Sequence, residues 1–263
     1  MQGIDELHAV VKRLRVECPW DAAQTPQSMR PYVLEEAHEV LEAIASGDPA
    51  AIQEELGDLL FQIVLISAMF EASGEFDLDR VAAGIAAKMV RRHPHVFAQD
   101  AQGRPPADAK ETIAQWEADK QRRRGPQGSI LDGVPKTLPA LLRAHRVGEK
   151  VAHVGFDWPD VSGVRAKIDE ELAELDEALE QQDPAAIRHE LGDVLLSTAN
   201  LARFLELGPE DLLQDANRRF EGRFRTLEEL ARQGGLVLHE QSPQTLERLW
   251  AQAKALHAAA FGE

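Results

Sequence analysis

Four carboxylates are the first residues whose types and spacing suggest chemistry. Glu171 and Glu174 stand three apart, and so do Glu190 and Asp193. On a helix, residues three apart share a face. Gln181-Gln182-Asp183 lies between the pairs and reads as a tight turn. The pairs therefore fall at similar heights on the facing arms of an antiparallel hairpin. Four acids converging in a bundle repel one another severely. A divalent cation relieves the repulsion, and an all-oxygen donor set favours Mg²⁺ or Mn²⁺. A single acidic pair on a helix is ordinarily a solvated face. Here Leu191, Val194 and Leu195 flank Asp193, which predicts a largely buried stretch.

Cations and one aromatic residue complete the set. Arg219 and Arg223 are four apart. Alone they would be surface salt-bridge partners of little worth. Facing an acidic metal site, they suit polyphosphate oxygens, which arginine binds bidentately. Trp250 fits either ordinary core or a stacking platform for a nucleobase.

The same pattern occurs twice. EEAHEVLEAIASGDPAAIQEELGDLL from residue 35 and EELAELDEALEQQDPAAIRHELGDVL from residue 170 align without a gap. Glu36, Glu39, Glu55 and Asp58 thus form a second candidate metal set. Further on, Lys88 and Arg92 fall opposite Arg219 and Arg223, and Trp116 opposite Trp250. Pro19-Trp20-Asp21 precedes the first copy and Gly155-Phe156-Asp157-Trp158 the second. Val40, Leu41, Ile44, Leu59, Leu60 and Ile63 are the first copy's counterparts of the buried apolar residues. Duplication of one domain explains so many matches in order.

Amphipathic helices must position these residues. The apolar spacing predicts helices over about 4–17, 28–46, 49–72, 78–92 and 108–122 in the first copy. A loop is expected at 18–27. In the second copy the helices are expected over about 138–153, 162–181, 184–206, 209–232 and 243–260. Asp48-Pro49 and Asp183-Pro184 read as N-cap followed by Pro at the first helical position. No strand pattern occurs. The expected fold is all-α, two tandem helical bundles: residues 1–122, a Gly/Pro-rich linker at 123–137, and 138–263.

Composition narrows the functional classes. A net charge of −16 argues against a polymeric nucleic-acid partner, which needs a basic stripe. No apolar run is long enough to cross a membrane and no leader pattern opens the chain. The single cysteine, Cys18, allows no internal disulfide and suits a reducing, cytoplasmic location.

The motif Glu170-Glu171-x2-Glu174…Glu190-x2-Asp193 resembles that of the MazG family of all-α nucleotide pyrophosphohydrolases. The likeness extends to Arg91-Arg92-His93-Pro94-His95-Val96-Phe97, Ser129-Ile130-Leu131-Asp132-Gly133-Val134-Pro135 and Val154-Gly155-Phe156-Asp157-Trp158. It covers essentially the whole chain. The resemblance implies a homodimer that hydrolyses nucleoside triphosphates to monophosphate and pyrophosphate. It also implies Mg²⁺ on Glu171, Glu174, Glu190 and Asp193, and nucleotide contacts from Lys167, Arg219, Arg223 and Trp250.

The copies differ at two telling positions. Lys167 stands where the first has Tyr32, and Asn200 where it has Leu65. Both are polar groups suited to phosphate or sugar contact, so the second copy is expected to be the main catalyst. One of its carboxylates would activate water for in-line attack beside the α–β bridge. Two other readings compete. Glu35-x2-His38 has di-iron spacing, but Ala173 replaces His38 in the second copy. A nucleotide-sensing or protein-interaction module with degenerate sites would suit the first copy better than the second. His93, His95, His145, His153, His189 and His239 show no zinc spacing.

Overall fold

The computed structural model describes residues 2–97, 106–108, 111–113, 115–116, 122 and 128–261. The chain divides into two compact units, Met1–Ala107 and Asp108–Glu263. Among the described residues every regular element is helical.

The first unit holds α1 (Gln2–Glu17), α2 (Pro19–Ala23), α3 (Arg30–Ser46), α4 (Pro49–Ala72), α5 (Leu78–Arg92) and α6 (Pro94–Phe97). α3 and α4 form the expected hairpin, and α1 packs along α4. Gly47 closes α3 at φ 72°, a left-handed conformation that glycine adopts without a Cβ clash. Asp48 then caps α4 by accepting from the Ala50 N–H at 3.0 Å, with Pro49 supplying a preset φ. The core gathers Val11, Met29, Val64, Leu65, Ala68 and Met69.

The second unit holds α7 (Ala140–Ala152), α8 (Val161–Gln181), α9 (Pro184–Phe204), α10 (Pro209–Gln233), a 3-10 turn (Leu238–Glu240) and α11 (Pro243–Phe261). α8 and α9 repeat the hairpin. Asp183 caps α9 through the N–H groups of Ala185 and Ala186, at 2.9 and 3.3 Å. α7 covers one side of α9, and α10 pairs with α11 around Leu227, Ala231, Leu249 and Ala253.

Two expectations need correction. The loop foreseen at 18–27 contains the one-turn helix α2, which Pro19 starts from an extended Cys18. The apolar residues around the second carboxylate pair are not largely buried. Leu191 is 49% exposed and Leu195 55%, while Val194 is half-buried. In the first unit Val40 is buried and Leu59 and Leu60 are half-buried, but Leu41, Ile44 and Ile63 are exposed. The reason is geometric. Each hairpin has two apolar sides, α1 or α7 covers only one, and the other faces outward. Of the helix expected at 108–122, Asp108 is a bend and residues 111–113, 115–116 and 122 are helical; residues 109–110, 114 and 117–121, with linker residues 123–127, lie outside the described residues.

Candidate active site

The α8–α9 hairpin brings the predicted acids together. Ligand oxygens of Glu171, Glu174 and Glu190 lie within 4.8 Å of one another. Asp193 joins through Glu190, in a second group that also contains His189. Matched heights arise because Asp183 starts α9 immediately after α8 ends. Glu171 is the most enclosed, its side chain 6% exposed, and Glu190 is at 19%.

Electrostatics follow from that crowding. Partial desolvation, then the charges of Glu171 and Glu190, push the Glu174 carboxyl above its ordinary range. Lys167 answers with positive charge. Its ammonium lies 2.7 Å from Glu170 and 2.8 Å from Glu171. Hydrogen bonds to Glu170 and then Glu171 raise its pKa further. Glu170, Glu177 and Glu180, on the same helix, are exposed.

The other candidate residues stand on α9, α10 and α11. Asn200 is half-buried, donates to the Leu196 carbonyl at 3.2 Å and accepts from Arg203 Nε at 3.2 Å. It lines a cavity of about 550 Å³ with Trp158 and Leu196. Arg219 is exposed on α10 and Arg223 is half-buried one turn later. Trp250 packs on Phe220, ring centroids 5.2 Å apart, and lines a separate apolar cavity of about 630 Å³.

The first unit assembles a smaller version. Glu36, Glu55 and Asp58 gather within 4.8 Å. Partial desolvation raises the Glu39 and Glu55 carboxyls, followed for Glu39 by the charges of Glu55 and Glu36 and for Glu55 by Asp58. Among the described residues no lysine pairs with this cluster. Tyr32, at the Lys167 position, packs edge-on against Trp20, and Glu36 accepts from Gln62 at 3.1 Å. Leu65, at the Asn200 position, is fully buried core.

Two features escaped sequence reasoning. His189 Nδ1 lies 3.0 Å from Asp193 and 3.4 Å from Glu190; its four-residue spacing to Asp193 was the available signal. Arg203 clamps Asp157 with two bonds of 2.9 and 2.7 Å. That pair spans 46 residues and leaves no local spacing to read.

The sequence model of the MazG nucleotide pyrophosphohydrolase domain matches residues 24–97 and 161–225. A nucleoside triphosphate pyrophosphohydrolase of Escherichia coli (strain K12) is 41% identical over 97% of this chain and 98% of its own length. This chain belongs to the MazG family. The nucleoside triphosphate pyrophosphohydrolase/pyrophosphatase MazG of Thermotoga maritima is 40% identical, over 95% of each chain. Bacillus subtilis YabN is 41% identical over 94% of this chain, which spans 50% of that protein. The two MazG matches take in both carboxylate clusters, and the second also includes Lys167, Arg219 and Arg223. Trp250 falls beyond it. No helix among the described residues is long and apolar enough to cross a membrane.

Proposed function

We propose that this protein hydrolyses nucleoside triphosphates to the monophosphate and pyrophosphate, using Mg²⁺ held by Glu171, Glu174, Glu190 and Asp193. The observation that carries the reading is the gathering of Glu171, Glu174 and Glu190 within 4.8 Å in a chain belonging to the MazG family. Carboxylates so close call for positive charge, and one ammonium neutralises only part of theirs. Hard oxygen donors fit Mg²⁺, with Mn²⁺ an admissible substitute. When bound, the ion supplies Lewis-acid polarisation and neutralises triphosphate charge.

The chain's own residues do the remaining work. A carboxylate of the cluster accepts the proton of the attacking water. Attack proceeds in line at a phosphorus flanking the α–β bridge, and that bridge breaks. Lys167, held at the cluster's edge, stabilises charge on the phosphoryl oxygens. Arg219 and Arg223 take further phosphate oxygens, Asn200 the sugar, and Trp250 stacks on the base.

The second unit is the main catalyst in this reading, because Tyr32 and Leu65 turn the corresponding first-unit positions toward packing. The proposed domains are 1–122 and 138–263, joined by a linker at 123–137. The first unit's Glu36, Glu39, Glu55 and Asp58 form an auxiliary metal site. The exposed Leu191 and Leu195 support a homodimer that covers them. A cytoplasmic location accords with the substrate and with the free thiol of Cys18.

Pyrophosphate release with Mg²⁺, and its loss in EDTA, tests the reaction. Glu171→Ala or Asp193→Ala should nearly abolish turnover while helical circular dichroism persists. Full activity in both variants overturns the assignment.

A further inference from the structure

We propose that His189, with Glu190 and Asp193, forms a second metal seat on α9, of mixed nitrogen and oxygen donors, that takes Mn²⁺ in preference to Mg²⁺. The proposal rests on the reading of the carboxylates as metal ligands and adds a neighbour with different chemistry.

Geometry supplies the first support. One donor atom each from His189, Glu190 and Asp193 lies within 4.8 Å of the other two. Glu171, Glu174 and Glu190 do the same. Glu190 belongs to both groups, so its carboxylate would be shared between two adjacent seats. His189 Nδ1 approaches Asp193 Oδ2 at 3.0 Å and Glu190 Oε1 at 3.4 Å, and neither approach is an aligned hydrogen bond. The imidazole is 71% exposed, which leaves the seat open to ions from solvent.

Spacing supplies the second. His189-Glu190-Leu191-Gly192-Asp193 places donors at positions one and five of a helical turn. That is the spacing by which the two histidines of an H-E-x-x-H helix grip one metal, with Asp in place of the second His. An imidazole donor favours borderline transition ions, whereas Mg²⁺ prefers oxygen alone. The first unit offers a built-in contrast. Glu54 stands at the His189 position, and the group gathered there, Glu36, Glu55 and Asp58, is all oxygen.

The test uses the full-length protein and Mn²⁺ as probe. Electron spin-echo spectroscopy of the Mn²⁺-loaded chain should show nitrogen coupling from a directly bound imidazole. The coupling should vanish in His189→Gln and in His189→Glu, with helical circular dichroism unchanged. Competition titrations should show the preference for Mn²⁺ over Mg²⁺ falling by on the order of tenfold in both variants. Bound Mn²⁺ without nitrogen coupling, or coupling that survives in His189→Gln, overturns the proposal and leaves His189 an ordinary surface partner of Asp193. If Mg²⁺ binding is indifferent to Glu171→Gln and Glu174→Gln, the reading of the carboxylates fails instead.

Discussion

Lys167 Nζ lies 2.8 Å from Glu171 Oε1, one turn away on the same helix. The most enclosed acid of the cluster is thus paired with a cation where the first unit has Tyr32. Its ammonium stands at the edge of the carboxylate group, where a bound triphosphate would present its oxygens. Lys167→Met should lower kcat/KM for nucleoside triphosphate hydrolysis roughly 100-fold, the usual scale for removing one preorganised donor. Steady-state pyrophosphate release measures it. Unchanged kinetics would show that Lys167 only neutralises Glu171.

Crowding of Glu174 predicts a pH effect on the metal-free protein. Its carboxyl is raised above the ordinary 4.5 by partial desolvation and by Glu171 and Glu190. A raised carboxyl favours the protonated folded state, so the favourable contribution is complete below the unfolded value. It is lost as pH rises through the folded value. Glu174→Gln should therefore gain stability relative to the wild type as pH climbs above 4.5 without metal. Thermal unfolding with and without Mg²⁺ checks this, and Mg²⁺ should remove the advantage.

The Asp157–Arg203 clamp is structural. Arg203 is 9% exposed, and Asp157→Asn would leave it uncompensated, at a cost of about 3 kcal/mol. Hydrogen bonds from Arg203 hold the Asp157 carboxyl below its ordinary 3.8. Its contribution is present above that value and fades as pH falls through the lower folded one. Urea unfolding should show the gap between wild type and variant narrowing in acid.

The two hairpin turns differ in backbone comfort. Gly47 closes α3 at φ 72°, but Gln182 closes α8 at φ 53°, where a side chain costs about 1 kcal/mol. Gln182→Gly should stabilise the second unit by up to about that amount. Differential scanning calorimetry would register it as a higher Tm.

The fold was legible wherever local chemistry dictates it. Asp48-Pro49 and Asp183-Pro184 announce helix starts because capping and a preset φ act within three residues. The carboxylate face was legible for the same reason, since three-residue spacing already determines a common face. The outward turn of Leu191 and Leu195 was not, because apolar residues on a helix do not say which neighbour covers them. His189 fits no zinc spacing, and its partner Asp193, four residues on, is one of the two acids it approaches on α9. Arg203 meets Asp157 only through tertiary packing.

Leu65 occupies the position at which the second unit carries Asn200, and it is fully buried beside Val64 and Met69. Restoring an amide there would place an unsatisfied polar group inside a packed core. At this position the first repeat is thereby held by a ratchet: a step toward its twin passes through a less stable chain, so the difference between the copies tends to persist.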